Sequence, residues 1–359
     1  MMQNVLVTGG AGFIGSNFIR HLLKVEPALK IINLDALTYA GSLENIKDLP
    51  DPGRHRFVEG NICDHDLVEK LLQQHQVDTI VHFAAETHVD RSIKDPGAFI
   101  QTNVQGTLSL LEAARQVGLQ HTPGPGRSLR FHHISTDEVY GSLSPIEPPF
   151  SEESPYAPRS PYSASKAASD HLVRAYFHTY ALPVTISNCS NNYGPYQFPE
   201  KLIPLTVLNA LHGRSLPVYG DGMQIRDWLF VEDHCQAILR ILEHGKPGET
   251  YNIGGNNQPT NMEIVQSICL LLDELQPGTQ PYAELIKHVA DRPGHDRRYA
   301  MNIDKIRSTL DWQPQHDLVS GLRTTIRWYL ENPQWLQAIE NQPGYKQWLG
   351  KNYPEIGEN

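Results

Sequence analysis

Asn4-Val-Leu-Val-Thr8-Gly9-Gly-Ala-Gly12-Phe13-Ile14-Gly15 is the stretch whose reading decides the fold. Its apolar run, Val5 to Val7, predicts a short buried strand, and the glycines at 9, 12 and 15 predict a tight turn. From Ile14 to about Val25 apolar residues recur at helical spacing. Strand, glycine-rich turn and helix start together aim backbone N–H groups and the positive end of a helix at one point, where a pyrophosphate is held. The spacing is G-x-x-G-x-x-G rather than G-x-G-x-x-G, so the strand-turn-helix context, not the bare pattern, carries the reading.

Working outward, a second strand, Lys30 to Leu34, ends at Asp35, twenty residues beyond Gly15. An acidic side chain there accepts hydrogen bonds from adenosine ribose hydroxyls and repels a 2'-phosphate; no arginine follows closely, so NAD is expected over NADP. The alternation continues with a strand at Arg56 to Glu59, a helix at Asp64 to Gln74 and a strand at Thr79 to Ala84. A longer helix lies between Pro96 and Val117, with Leu108, Leu110 and Leu111 on its apolar face, and another strand runs from Arg130 to Ser135. Repeated strand-helix units predict an α/β fold, a Rossmann-like doubly wound parallel sheet covered on both faces. Asn61, Ile62, Ala84 and Ala85 fall at strand ends and are expected along the ligand groove.

The strand from Arg130 stops at Thr136, Asp137 and Glu138, at the sheet edge where ligands sit in open α/β folds. On a continuing strand Asp137 and Glu138 would face opposite sides, so both reach one ligand only if the segment turns. Further on, Ser160 is placed to cap a helix carrying Tyr162 and Lys166 one turn apart on one face. A lysine ammonium beside a phenol favours the phenolate, which makes a usable base. Taken singly these are ordinary features: Tyr-x-x-x-Lys is common, and Asp-Glu after a strand is more often a solvated turn.

Composition narrows the function classes. A net charge of -10 argues against nucleic-acid or anionic-membrane partners. Seventeen histidines include no close ligand pair such as H-E-x-x-H, so no metal is expected. His132 and His133 lie within a strand, where packing or a backbone hydrogen bond is expected. Cys63, Cys189, Cys235 and Cys269 show no C-x-x-C spacing, which predicts four buried thiols in a reducing compartment. With no secretory pattern and no apolar run of about 20 residues, a cytoplasmic location is expected.

In the second half, a strand from Val184 to Asn188 leads to Asn191 and Asn192. Leu216 to Tyr219 reads as a strand ending in a Gly-Asp-Gly turn, and Asn261 starts a helix that it is placed to cap. Clusters of Gly, Pro and Asn near Gly220 and Gly254 suggest that the chain passes between two domains more than once. The expected division is 1-190 plus about 224-255, and about 191-223 plus 256-340, the latter a smaller C-terminal α/β substrate domain. Trp312 and a helix from Leu322 to Leu330 read as packing elements, and the last few residues as loosely held.

Thr8 to Gly15, Asp35 and Tyr162-x-x-x-Lys166 together resemble the extended short-chain dehydrogenase/reductase superfamily. Longer stretches choose within it: Asp35-Ala-Leu-Thr-Tyr-Ala-Gly41, His82-Phe-Ala-Ala-Glu86-Thr87, Thr136-Asp137-Glu138-Val-Tyr-Gly141, Ser190-Asn191-Asn192 through Lys201-Leu202, and Asp291-Arg292-Pro-Gly-His295-Asp-Arg-Arg-Tyr299. To about Leu330 these resemble the dTDP-glucose 4,6-dehydratase family; epimerases of the superfamily usually lack the adjacent Asp-Glu.

The resemblance implies a tightly bound NAD, regenerated each turnover. Its contacts would be Gly9, Gly12, Phe13, Ile14, Gly15, Asp35, Ala36, Leu37, Thr38, Asn61, Ile62, Phe83, Ala84, Ala85, Thr102, Tyr162, Lys166 and Asn192. It implies a sugar-nucleotide substrate held by Thr87, Thr136, Asn191, Lys201, Leu202, Pro217, Val218, Tyr219, Arg226, Asn261, Asp291, Arg292 and His295, with Arg226, Arg292 and His295 meeting the diphosphate. Catalysis would fall to Thr136, Asp137, Glu138, Tyr162 and Lys166: C4 oxidation, loss of water across C5 and C6, then hydride return to C6. Asn61 stands where the family usually has Asp, and Thr87 where it often has Ser. A homodimer through helices near Pro96 and Tyr162 is also implied. Alternatives are the same reaction on UDP-glucose or another nucleotide sugar, a nucleotide-sugar 4-epimerase, and a non-catalytic NAD-sensing protein, which would not need Tyr162, Lys166 and the acid pair together.

Overall fold

Val5 and Val7 are buried on one side of the first strand and Leu6 on the other, so β1 (Asn4–Thr8) runs through the middle of a sheet covered on both faces. The computed structural model describes residues 2–120, 129–291 and 296–352. In it, β1 pairs in parallel with β2 (Lys30–Asp35) and with β4 (Thr79–His82). Outside them lie β3 (His55–Glu59), β5 (Arg130–Thr136), β6 (Val184–Cys189) and β10 (Thr250–Ile253), giving a seven-stranded sheet in the order β10-β6-β5-β4-β1-β2-β3. Every ladder in it is parallel. The expected doubly wound α/β architecture is present.

On one face pack α2 (His65–Gln74), α5 (Thr107–Gln120) and α6 (Pro161–Tyr180), burying Val68, Leu110, Leu111 and Val173 against Leu6, Leu34 and Phe131. On the other, α1 (Phe13–Val25) and α8 (Val231–His244) bury Phe18, Leu22 and Ile238 against Val5 and Val7. Asp64, read as the start of α2, is its N-cap, with Oδ1 accepting from Leu67 N at 3.0 Å. The strand read to Ala84 stops at His82, because the chain then leaves the ladder and Ala84 N turns to Thr8 Oγ1 at 3.3 Å. Between β4 and α5 run α3 (Val89–Lys94), α4 (Pro96–Phe99) and a π-helical stretch, Ile100–Gly106.

Beyond β6 the chain forms β7 (Asn191–Tyr193), α7 (Leu202–Leu211), β8 (Leu216–Tyr219) and β9 (Trp228–Phe230) before returning through α8 and β10 to the large sheet. Then follow α9 (Asn261–Leu275), β11 (Ile286–Val289), α10 (Asp304–Leu310), α11 (Leu318–Glu331), α12 (Pro333–Glu340) and α13 (Pro343–Asn352). β8 pairs with β11 and β7 with β9 in two small parallel sheets. A separate apolar cluster joins Ile203, Val207, Val218, Ile264, Ile268, Leu322 and Ile326 and extends to Tyr345 and Leu349. Trp312 is buried, as its reading as a packing element requires, and the helix read as Leu322 to Leu330 runs from Leu318 to Glu331. The terminal stretch read as loosely held lies outside the described residues.

Two glycines in the first turn have specific steric reasons. Gly9 has φ +73°, where an L side chain is strained, and a Cβ there would lie 2.6 Å from Ala84 N. A Cβ on Gly15 would lie 2.3 Å from Gly9 O. Gly15→Ala is therefore expected to cost about 1–3 kcal/mol, seen as a lower melting temperature, and to release dinucleotide during purification because the turn must widen.

Cys189, Cys235 and Cys269 are buried free thiols, but Cys63 is only half-buried, with Sγ 3.3 Å from Gln101 O. The two strand histidines bond through their side chains instead of to the backbone. His132 meets Thr185 Oγ1 at 2.8 Å and Ser187 Oγ at 3.1 Å on β6. His133 Nε2 lies 3.3 Å from Asp170 Oδ1 and 3.4 Å from Lys166 Nζ.

Candidate active site

β5 ends at Thr136 and a single 3₁₀ turn, Asp137–Tyr140, follows. Thr136 caps it, its Oγ1 accepting from Glu138 N at 3.3 Å. This is the turn that two adjacent carboxyls need in order to share one ligand, since the strand alternation is broken at Asp137. Facing it is α6, started by a reciprocal cap: Ser160 Oγ accepts from Ser163 N at 3.1 Å, Ser163 Oγ accepts from Ser160 N at 3.0 Å, and Pro161 holds the first helical position. Tyr162, Lys166 and Asp170 follow at spacings of four and share its inner face.

Thr136, Asp137, Glu138, Tyr162 and Lys166 all line one cleft of about 570 Å³ above the ends of β1, β2, β4 and β5. Of the residues expected at the dinucleotide, Gly9, Gly12, Phe13, Ile14, Gly15, Asp35, Ala36, Thr38, Asn61, Ile62, Phe83, Ala84, Ala85, Thr102 and Asn192 line it too. Thr102 comes from the π-helical stretch, the kind of irregularity that marks ligand sites. Thr87 joins it from the loop after β4, and from the second half come Asn191, Lys201, Leu202, Pro217, Tyr219, Arg226 and Asn261. Gly9, Gly12 and Gly15 line the cleft at the start of α1, where backbone N–H groups point outward, and with Asp35 at the end of β2 they fit a dinucleotide.

Several expected positions are placed differently. Val218 is 2% exposed and points into the C-terminal core, because Pro217 and Tyr219 on the same strand take the cleft side. Leu37 is not among the lining residues; with φ +48° it gives its N–H to Asp35 Oδ1 at 2.8 Å, shaping the loop. Asp291 also stands outside the cleft, where it accepts from Gln224 Nε2 at 3.1 Å and packs against the Gly220 turn. Arg292 and His295 lie outside the described residues. Asn261 does not cap α9: Thr260 does, in a capping box with Glu263, which frees the Asn261 side chain for the cleft.

A family model described as GDP-mannose 4,6 dehydratase matches residues 6–325. A dTDP-glucose 4,6-dehydratase of Shigella flexneri is 54% identical over 98% of this chain and 99% of its own. The chain belongs to the dTDP-glucose 4,6-dehydratase family. Among solved structures, the family member from Streptomyces venezuelae with NAD and TYD (thymidine diphosphate) bound is 47% identical, with a TM-score of 0.85 over 94% of this chain and 99% of that one. A UDP-glucose 4-epimerase of Thermotoga maritima still reaches a TM-score of 0.80 at 28% identity, covering 92% of this chain and 99% of that one. Fold alone therefore does not separate a dTDP-glucose 4,6-dehydratase from an epimerase, and the acid pair has to.

The electrostatics of this dTDP-glucose 4,6-dehydratase family member favour the protonated forms of both Asp137 and Tyr162. Burial, then the charges of Glu138 and Asp227, push the Asp137 carboxyl well above its usual range, against weaker opposition from Arg226 and a Thr136 hydrogen bond. Burial is also the main cause that raises the Tyr162 phenol, followed by the Glu138 charge. Lys166 lies one turn along the same face of α6. Its ammonium bonds Ile134 O at 2.8 Å, and burial holds its pKa down to about 8, opposed by the Asp170 charge. Asp35 receives N–H bonds from Ala11 and Leu37, both at 2.8 Å, which limit the rise that burial imposes.

The cleft also holds residues that sequence reading missed. Tyr299 lies under the Arg226 guanidinium, 4.4 Å from ring centroid to Cζ, and donates to Asp296 Oδ2 at 2.5 Å. Glu200 is buried and accepts from Tyr39 OH at 3.1 Å, tying the loop after β2 to the segment before α7. Behind the lining residues, buried Asn103 binds the backbone of Glu86 and donates to Ser165 Oγ at 2.8 Å, fixing the loop after β4 to α6. Glu200 stands next to Lys201 and Tyr299 ends the Asp291 stretch quoted above, whereas Asn103 has no local pattern.

Proposed function

We propose that this protein is an NAD-dependent hydro-lyase that converts dTDP-glucose to dTDP-4-keto-6-deoxy-glucose. The observation that carries the reading is the 3₁₀ turn after β5, which brings Asp137 and Glu138 into the cleft that Tyr162 lines. Relatives that share this chain's full length are dTDP-glucose 4,6-dehydratases, and one is solved with TYD bound, which favours thymine over uracil.

The C6 hydroxyl does not leave an unactivated hexose, because the C5 proton is too weakly acidic for a carboxylate to remove. NAD, held along Gly9, Gly12, Gly15 and Asp35, would make removal feasible by supplying a hydride acceptor for C4 and a hydride donor for C6. Tyr162 takes the O4 proton while Thr136 hydrogen-bonds the same oxygen. With a ketone at C4, Glu138 removes the C5 proton and later returns it. Asp137, biased toward the neutral acid, protonates the departing C6 hydroxyl. Gly9, Gly12, Gly15 and Asp35 hold the dinucleotide; Thr87, Asn191, Lys201, Leu202, Pro217, Tyr219, Arg226 and Asn261 hold the sugar nucleotide. Separate apolar clusters for the large sheet and for the second half support the division into a dinucleotide-binding and a smaller substrate domain.

A homodimer and a cytoplasmic location belong to the same proposal. Free thiols suit a reducing compartment, and among the described residues no helix is long and apolar enough to cross a membrane. The test is dTDP-glucose carrying deuterium at C4. The expected product has lost one water and carries the label at C6, and UDP-glucose run alongside is turned over more slowly. An epimerised product of unchanged mass overturns the reading.

A further inference from the structure

The glycine turn after β1 is held in shape by residues far outside its local pattern. α1 starts at Gly12 with no side-chain cap, which leaves the N–H groups of its first turn for a ligand. How well they meet a diphosphate depends on the peptide planes just before them, at Ala11. Ala11 N donates to Asp35 Oδ2 at 2.8 Å. Its carbonyl oxygen accepts from Asn45 Nδ2 at 2.8 Å and from Ser42 N at 3.0 Å, and across the same peptide Gly12 N donates to Gly9 O at 3.2 Å. A carbonyl held in this way faces protein donors; free to swing toward the cleft, it would repel phosphate oxygens.

We infer that Trp335 on α12 is a positioning residue for the dinucleotide: its indole N–H orients the Asn45 amide, and that amide holds the Ala11 carbonyl. Trp335 Nε1 donates to Asn45 Oδ1 at 2.8 Å, in a buried contact between residues 290 positions apart. An indole N–H only donates, so it must meet the amide oxygen, and the amide nitrogen is then the end that faces Ala11 O. With the amide turned over, its oxygen would meet the Ala11 oxygen and neither would have a donor. Asn45 is 2% exposed, so bulk water cannot orient it instead.

The surroundings keep both partners in place. Asn45 lies in a 3₁₀ turn, Leu43–Ile46, that Ser42 caps by accepting from Glu44 N at 3.3 Å. Arg20 on α1 donates to Asn45 O at 2.8 Å and lies over the Tyr196 ring, 4.2 Å from its centroid. Tyr196 packs against Trp328 and Trp335, and Gln342, just after α12, donates to Ser42 Oγ at 3.3 Å. α12 thus docks on the segment after β2 by specific hydrogen bonds as well as by packing. It lies beyond residue 325, where the family match ends. The inference rests on the dinucleotide reading of the cleft and is independent of the acid and base roles proposed above.

Exchange of bound NAD tests it. Wild type, Trp335→Phe, Asn45→Ala and the double variant are saturated with radiolabelled NAD, and release of label into excess unlabelled NAD is timed. Trp335→Phe keeps an aromatic ring and loses the N–H. Release is expected to quicken by about fivefold in each single variant, the value of one hydrogen bond. The double variant releases no faster than the singles, because both changes act on one carbonyl. The loss falls on NAD alone: at saturating NAD the KM for dTDP-glucose is that of wild type. Ile339→Val, a buried change on the same helix, lowers the melting temperature and leaves NAD release unchanged. Release from Trp335→Phe at the wild-type rate overturns the inference, and so does a double variant in which the two effects multiply. Equal quickening in Ile339→Val also overturns it, since any loosening of α12 would then do the same. Wild type that binds no label would instead remove the dinucleotide reading itself, and the inference with it.

Discussion

Asp137→Asn is expected to lower kcat for water loss by about 10²–10⁴-fold while leaving C4 oxidation in place. Asparagine keeps the size of the side chain and can still donate a hydrogen bond, but it cannot give up a proton to a leaving hydroxyl. Reduced cofactor should therefore build up during turnover. In D₂O the recovered dTDP-glucose should carry deuterium at C5, because Glu138 still removes and returns that proton. A variant that loses C5 exchange together with water loss would assign Asp137 to the wrong step.

The same substitution should stabilise the folded protein. The carboxyl is raised by burial, so the ionised form is favoured in the unfolded chain. The contribution of Asp137 to stability is then complete below the ordinary carboxylate value of about 4 and is lost as pH rises toward and through its folded pKa. An asparagine amide in its place does not titrate. The melting temperature of the variant should match wild type in acid and exceed it near neutrality, by about 2 °C for each kcal/mol recovered in a chain of this size. An equal melting temperature at both pH values would mean that the buried acid carries no ionisation cost. This gain in stability for a loss in rate is what a group placed for chemistry shows.

Tyr162→Phe is expected to lower kcat by about 10²–10⁴-fold with little change in KM. The phenyl ring fills the same space between Phe99 and the turn after β5, and only the proton acceptor for O4 is lost. The block falls before the ketone exists. Neither reduced cofactor nor deuterium at C5 should appear, in contrast to Asp137→Asn. A Tyr162→Phe enzyme that still exchanges C5 would show that another group takes the O4 proton.

Much of the large sheet was legible because its determinants are local. Val5 to Val7 between polar ends, the glycine turn and the apolar spacing of α1 each involve residues within a few positions of one another. Strand and helix positions through β6 follow, and so does the Ser160 cap of α6. The misplacements have non-local causes. β4 ends early because Ala84 turns to Thr8, a strand away, and Asn261 yields the cap to Thr260. Val218 faces inward because the cluster of α7, α9 and α11 lies on that side of β8.

For the site, residue types and their order along the chain announced the chemistry: a phenol, a lysine one turn on, and two adjacent carboxyls at a strand end. Those are covalent facts, and the parallel α/β frame that carries them follows from local periodicity. Which groups meet was decided only when distant segments packed. The turn after β5 brought both acids to one cleft, Thr136 Oγ1 came to donate to Asp137, and Lys166 came to bond Ile134 O. Proton affinities followed from that packing, because burial and the charges of residues as far apart in sequence as Asp137 and Asp227 set them, and no local pattern encodes a distance across a cleft.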